Sequence, residues 1–447
     1  MPTTPRPHFA KFTAGSIATH EPFASSATGR GCPSPDRFRV LIATPTTNQM
    51  YSGIGRAIFE LSRRLQGRVE FTFAMDDRDP RSLRRVWDFA TPLGIPMCVG
   101  PHRFESDCVE PLNERLPELI RSSRWDAIEL IGFANAATGR AVLDHIDDRT
   151  VLCYTPHDQP LWTVPMSPEQ EANVAATHRR VIERADLVLA DSPAECRALQ
   201  RLAPRQVNAV TLPLGCDFEA FDLGPLDRPP QLLFVGDLAE IRKRFDRVVQ
   251  VFEHVVRRSP EFRLVVIGNR SEASADRIPP ALRPFVELRG YVSEADLREA
   301  YRSSRALLLL SDVEAFGLPI LEALVSGTPV LLSRLETTES LFGDCPGTHF
   351  CPIDDPEGTL QIVDRLLDQP SIAIAQARAD RPRLQPLFDW NALANRKHQL
   401  VMSAWGRRNA WAWHEPRPSA LDRGSSASIS SIKALSSPPT PESVPCP

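Results

Sequence analysis

Two carboxylates, Glu314 and Glu322, stand eight positions apart in the stretch 311–333, which reads SDVEAFGLPILEALVSGTPVLLS. An ionised carboxylate accepts two hydrogen bonds at once, so either residue suits the vicinal hydroxyls of a sugar or a ribose. Glycoside hydrolysis would need one carboxyl raised in pKa and the pair facing each other across a sugar, and nothing in this string points that way. Each residue also has a plainer account. Glu322, read in the first turn of a helix, interacts favourably with the macrodipole by about 0.3–1 kcal/mol whatever its function, and that dipole would keep it ionised. Glu314 alone could be a solvated loop residue. Upstream, Arg242, Lys243 and Arg244 form a run of cations suited to a diphosphate, or to an exposed helix start. His157, followed by Asp158, closes another apolar run. Such a pair can carry chemistry, and an Asp-fixed structural His is as common.

The flanking residues say what would hold these groups. Residues 306–310 and 330–332 are short apolar runs that read as buried strands. Between them Pro319 suits the start of a helix, Gly327 its end, and Pro329 prevents continuation. The unit is strand–loop–helix–strand, as in a parallel sheet with crossovers. Its loop, 312–318, leaves the carboxyl end of a strand for a helix N-terminus, where open α/β sheets bind ligands and unpaired N–H groups attract phosphate. A similar start occurs earlier: strand 39–44, then Gly53-Ile54-Gly55-Arg56 opening an amphipathic helix with Ile58, Leu61 and Leu65 at helical spacing, then strand 69–74. A lone G-x-G is weak evidence, since turn geometry alone explains it. Further strands fall at 127–131, 151–154, 187–191, 232–235 (followed by Gly236) and 264–267 (followed by Gly268).

The string E-A-F-G-L-P-x-x-E-A-x-x-x-G-T-P-V closely resembles the E-x7-E segment of the retaining glycosyltransferases of family 4, which have the GT-B fold: two Rossmann-like β/α/β domains facing each other across a cleft. The resemblance runs over about 37–405 and includes Arg184-Ala185-Asp186 and the Pro213-Leu214-Gly215-Cys216-Asp217 crossing. It implies that Glu314 holds donor-sugar hydroxyls, that Glu322 holds the ribose, and that Ala315, Phe316, Gly317 and Leu318 bring backbone to the sugar and diphosphate. It also implies that Gly53 and Gly55 form a glycine loop on the opposite wall, that His157 lies beside the donor sugar, and that Tyr291 and Val292 belong to the turn that reads the base. Gly236, Arg242, Lys243 and Gly268 complete the donor side, with Glu314, His157 and Lys243 as the catalytic set. One departure stands out. The family has an Arg where this chain has Asp237, six positions before Lys243. At ~5 Å from a phosphate, with an effective dielectric of ~20, such a carboxylate would cost roughly 3 kcal/mol, so Asp237 turns away, or Arg242 and Arg244 compensate, or donor binding is weak.

At 447 residues, with 42% hydrophobic content, two α/β domains are the natural expectation. The domains are read as 38–222 on the acceptor side and 223–385 on the donor side, with 386–405 a helix crossing back to the first. Residues 1–37 read as a disordered leader and 406–447 as a disordered Ser/Pro-rich tail. A net charge of −4 argues against a dedicated nucleic-acid binder. Nine scattered Cys suit a reducing compartment, and no secretory or membrane-spanning segment is evident, so a cytoplasmic location is expected. Residues 81–89 form a basic amphipathic stretch that either touches an anionic membrane or is a solvated helix face. No cofactor and no metal are expected, because no D-x-D motif stands where this fold would use one. The partners expected are a sugar nucleotide and a carbohydrate or lipid-linked acceptor. Three alternatives stay open: another GT-B enzyme such as an epimerase or phosphorylase, a non-catalytic sugar-nucleotide sensor, and a nicotinamide oxidoreductase.

Overall fold

The structure is a computed structural model that describes residues 37–44, 53–103, 112–132, 136–157, 167–202, 207–238, 240–268 and 276–410. Short apolar runs become parallel strands, buried on both faces in the middle of each sheet and half-buried at its edges. In the first sheet these are β1 (Phe38–Ala43), β2 (Val69–Asp76) and β3 (Met97–Gly100), and after a small antiparallel ribbon of β4 (His102–Arg103) and β5 (Leu112–Asn113), β6 (Ala127–Ile131), β7 (Val151–Thr155), β8 (Leu187–Ala190) and β9 (Ala209–Thr211). Among the described residues their order is β3-β2-β1-β6-β7-β8-β9. The second sheet holds β10 (Gln231–Val235), β11 (Arg263–Ile267), β12 (Val286–Gly290), β13 (Ala306–Leu309), β14 (Val330–Ser333) and β15 (Thr348–Cys351), in the order β12-β11-β10-β13-β14-β15. The strand order reverses between β1 and β6 in the first sheet and between β10 and β13 in the second. Crevices for ligands open at the carboxyl ends of such switch points.

Both sheets lie in one compact unit that begins at Phe38. One apolar cluster runs from Ile42, Ile54 and Ile58 beside the first sheet, through Leu214, to Leu318 and Leu321 beside the second. The chain passes between the sheets through 212–230, and this passage is tied down by arginines. Arg381 donates to the carbonyls of Phe218, Phe221 and, at 2.7 Å, Val325. Arg228, only 3% exposed, donates to Ser304 O at 2.7 Å, Gly327 O at 2.7 Å and Thr328 Oγ1 at 2.6 Å. The first two lie just past the ends of two helices, where carbonyls lack intrahelical donors.

The last described helix, Trp390–Arg408, packs on helix Gly53–Leu65 and against β7 and β8. Lys397 Nζ lies 2.6 Å from Glu129 Oε1 on β6, and Phe38 meets Trp405 edge-on with ring centroids 6.2 Å apart. The helix passes Gly406, where the polar tail was expected to begin, because Arg408 ion-pairs with Asp186 at 2.7 Å. Gly53 and Gly55 lie in the first turn of helix Gly53–Leu65, where the residue pattern put the helix start, and not in the glycine loop that the resemblance implies; 45–52, the expected loop, is outside the described residues. The basic stretch 81–89 falls in helix Pro80–Ala90, where Arg85 lies 5.9 Å from the Phe59 ring centroid and Arg84 pairs with Asp88. Among the described residues no helix is long and apolar enough to cross a membrane.

Candidate functional site

Helix Leu318–Val325 follows β13 after a tight loop whose last residue, Gly317, has φ +84°. A Cβ there would also come within 2.6 Å of Ile320 Cδ1, so only glycine permits the turn. Glu314 sits within this loop at the switch point between β10 and β13. It is buried, 5% exposed, and not the solvated loop residue of the plainer account. Its Oε1 accepts from Lys243 Nζ at 2.7 Å and from Ser311 Oγ at 2.7 Å, while Arg242 Nη1 lies 3.8 Å from Oε2. Thr337 Oγ1 donates to its carbonyl at 2.6 Å. Burial pushes the Glu314 carboxyl up, but the Lys243 and Arg242 cations push it further down, so its net pKa lies below the usual value.

The cations come from the 3-10 turn Ile241–Lys243 that follows β10. Lys243 is 8% exposed. Arg242 is shared between Glu240, at 2.8 Å, and the Val313 carbonyl, at 3.2 Å. Arg244 does not offset Asp237 as expected, because its guanidinium is held by Asp246 at 2.8 Å and Asp312 at 3.1 Å. Its own backbone is left-handed, with φ +45°, as it turns the chain into helix Phe245–Arg258. Asp237 itself is half-buried and takes part in contacts of its own.

Glu322 requires a correction. Helix Leu318–Val325 has no acidic residue in its first turn, so the macrodipole does not account for the state of Glu322 one turn further in. The side chain is 4% exposed, and its partners are hydrogen-bonding groups. Tyr301 Oη donates to Oε2 at 2.8 Å, and Arg56, from the first sheet's side, donates to Oε1. Burial raises the Glu322 pKa, and Arg56 and Tyr301 offset part of that rise.

His157 follows β7 with φ +57°, an unusual backbone for a non-glycine residue and one that clusters at functional sites. Asp158 lies outside the described residues, and among the described residues Asp191, just past the end of β8, holds the ring. Nδ1 is 3.0 Å from both carboxylate oxygens. Glu195 Oε2 in turn accepts from the Asp191 amide at 2.6 Å, and Ser192 Oγ accepts from the Glu195 amide at 3.0 Å. Glu195 and Glu314 line one cleft of about 240 Å³, with Ala194, Asp312, Ala315 and Glu336. The chain that orients His157 therefore reaches the same cleft as Glu314, from the opposite sheet.

The remaining expected residues divide. Gly53 meets Leu318 across the two halves, a Cβ at Gly53 lying 3.0 Å from Leu318 Cδ1, so the two helix N-termini abut; Gly55, two residues on, is buried. Gly236 and Gly268 stack backbone to backbone, for a Cβ on Gly268 would meet Gly236 O at 2.0 Å. Ala315 lines the cleft, whereas the Phe316 side chain turns into the core between Phe342 and Phe388, with centroids 5.7 and 5.8 Å away. Tyr291, after the left-handed Gly290, is 68% exposed and not a packed aromatic, and Val292 is half-buried. Sequence reasoning missed Arg56, Tyr301, Asp191 and Glu195. Arg56 adjoins Gly55, but its carboxylate lies 266 positions away, and no local signal names it. The helix cap formed by Ser192 and Glu195 was the one available clue to Asp191. Among the described residues no group of three or more His, Cys, Asp or Glu could hold a metal ion.

Comparison with known proteins gives a consistent result. Residues 229–369 match the family described as glycosyl transferases group 1, and 52–215 match the glycosyl transferase 4-like domain. The chain is 30% identical over 188 residues to a glycogen synthase of Mycobacterium tuberculosis, covering 40% of this chain and 44% of that protein. It is 25% identical over 203 residues to a phosphatidyl-myo-inositol mannosyltransferase of the same organism, covering 42% and 52%. The chain thus spans about half the length of the curated relatives it matches. Among solved structures it resembles the Anabaena protein HepE in complex with UDP-glucose (TM-score 0.64, 14% identity, 82% of this chain and 100% of that one). It also resembles sucrose-phosphate synthase from Thermosynechococcus elongatus (TM-score 0.63, 18% identity, 83% and 100%). The fold is therefore GT-B, with two Rossmann-like halves.

Proposed function

This chain belongs to the group 1 glycosyltransferases, and we propose that it moves a hexosyl group from a nucleoside-diphosphate sugar to a hydroxyl of a carbohydrate or lipid-linked acceptor, with retention and without a divalent ion. The observation that carries the reading is Glu314: a buried carboxylate at a switch point, held below its usual pKa by Lys243 and Arg242, lining a cleft that the other sheet closes. A buried side chain kept charged by its neighbours suits gripping hydroxyls.

In this reading the donor sugar's hydroxyls donate to Glu314 and the ribose hydroxyls donate to Glu322. Lys243 and Arg242, beside Glu314, supply the positive charge for the diphosphate. The amides of 316–318 and the start of helix Gly53–Leu65 supply positive helix ends as the leaving group gains charge. In the tautomer with its proton on Nδ1, His157 donates to Asp191 and Nε2 is left to accept from a sugar hydroxyl. The bond from the anomeric carbon to the phosphate oxygen breaks, the bond to the acceptor oxygen forms on the same face, and the acceptor's proton passes to the leaving phosphate.

The test is a thermal-shift screen of UDP-, GDP- and ADP-sugars, followed by transfer from the best binder to mixed acceptors. A ligand at 100 times its Kd should add about 2.7 kcal/mol of stability. Product NMR showing the donor's anomeric configuration, and unchanged turnover in EDTA, support the full reading. An inverted product or loss of activity in chelator overturns those two parts of it. One observation favours a non-catalytic sensor as the second reading: Asp237 stands where the family's Arg would meet the diphosphate. Specific binding without transfer would establish that reading instead.

A further inference from the structure

Arg56 has no part in the reaction as drawn above, yet it joins the two halves at the nucleotide end of the site. Its Nη1 pairs with Glu322 Oε1 and its Nη2 lies 2.7 Å from Glu294 Oε2, at the start of helix Glu294–Ser303. Glu322 itself is wrapped by its own half. Tyr301, which is fully buried, donates to Oε2 and carries no charge. A buried carboxylate without a cation is costly, and the group then takes up a proton instead. Among the described residues Glu322 ion-pairs only with Arg56, and Arg56 belongs to the other half. Its reach is fixed, because Gly53, three residues earlier, is set tightly against Leu318.

We propose that Arg56 is a positioning residue for nucleotide recognition: reaching across from the first half, it keeps Glu322 charged and aimed, so that the ribose-binding carboxylate works only when the halves stand together as they do here. The proposal rests on the ribose reading of Glu322. The titratable groups facing Glu322 are Arg56, Tyr301, Glu294 and the thiol of Cys216. Of these Arg56 alone is a cation. Glu294 opposes ionisation, and burial holds the Cys216 thiol neutral by pushing its pKa well up. Without Arg56 the Glu322 carboxyl would rise further and lose acceptor capacity at neutral pH, when a ribose diol needs it.

The test compares binding of UDP, GDP or ADP, whichever shifts the melting transition most, with its 2′,3′-dideoxy counterpart by calorimetry between pH 6.5 and 8.5. Wild type should prefer the ribonucleotide by tenfold or more at every pH. In Arg56→Gln the preference should fall below threefold at pH 6.5 and recover as the pH rises, because more of Glu322 ionises. Arg56→Lys, which keeps the charge, should stay within threefold of wild type. In a Glu322→Gln background, Arg56→Gln should change the preference no further. A wild-type preference in Arg56→Gln at pH 6.5, or a loss that is equal at all pH values, overturns the proposal while leaving the ribose reading intact. No ribose preference in wild type, or no nucleotide binding at all, overturns the ribose reading and this proposal with it.

Discussion

At the scale of single residues, the site is a set of charges that satisfy one another. Lys243 and Ser311 fill Glu314 Oε1, and Arg56 and Tyr301 fill Glu322. Glu314→Gln keeps the shape and removes the charge. Transfer from the donor identified by the binding screen should fall by about 100-fold or more, the usual effect of losing one well-placed polar group, and wild-type kinetics would refute the assignment. Asp237→Arg restores the charge expected by resemblance. Titration calorimetry should show donor affinity equal to wild type or tighter, and weaker binding would mean that Asp237 itself serves the site. Glu314 and Lys243 were legible as candidates because their types and spacing match a known pattern. Their mutual ion pair was not, since it joins residues 71 positions apart.

At the scale of elements, helix Pro370–Phe388 presses Asp380, 0% exposed, against the turn before β15, where Oδ2 accepts from the Gly347 amide at 2.8 Å. Burial raises this carboxyl to about 6, and the Gly347 amide and Arg383 only partly oppose the rise. An acid with a raised folded pKa favours folding while protonated. Its contribution is therefore present at pH 4 and lost as the pH climbs to about 6. Asp380→Asn should raise the melting temperature at pH 7.5, by an amount equivalent to about 2–3 kcal/mol, and have little effect at pH 4; equal effects at both pH values would refute this. The sequence announced the helix at Leu318–Val325 through Pro319 and Gly327, because those residues act on their own backbone. Nothing local announced that Arg244, and not a glycine, would turn left-handed at φ +45° before helix Phe245–Arg258.

At the scale of the molecule, helix Trp390–Arg408 is tied to the first sheet, and its anchor is the buried pair Lys397–Glu129, 9% and 3% exposed. Lys397→Ala strands Glu129 in an apolar setting and should cost about 3–5 kcal/mol in urea unfolding. Glu336→Ala breaks the exposed pair with Arg197 that also bridges the halves, and should leave the urea midpoint nearly unchanged. Equal losses in the two variants would show that burial does not set the difference.

The amino-acid sequence alone determined the inner strands of both sheets, the two Rossmann-like halves and the residues about Glu314, because periodicity, caps and a distinctive motif are local properties of a chain; the edge strands β3, β9, β12 and β15, less apolar and less buried, were not legible. Only the tertiary structure decided which charges meet: Asp191 on His157, Arg56 on Glu322, and Arg244 drawn away from Asp237 by Asp246 and Asp312. Most of these pairings join residues far apart in sequence, and even the local pair Arg244–Asp246 is settled by how the turn places the guanidinium. The energy of each depends on distance and burial, neither of which a linear string of residue types contains.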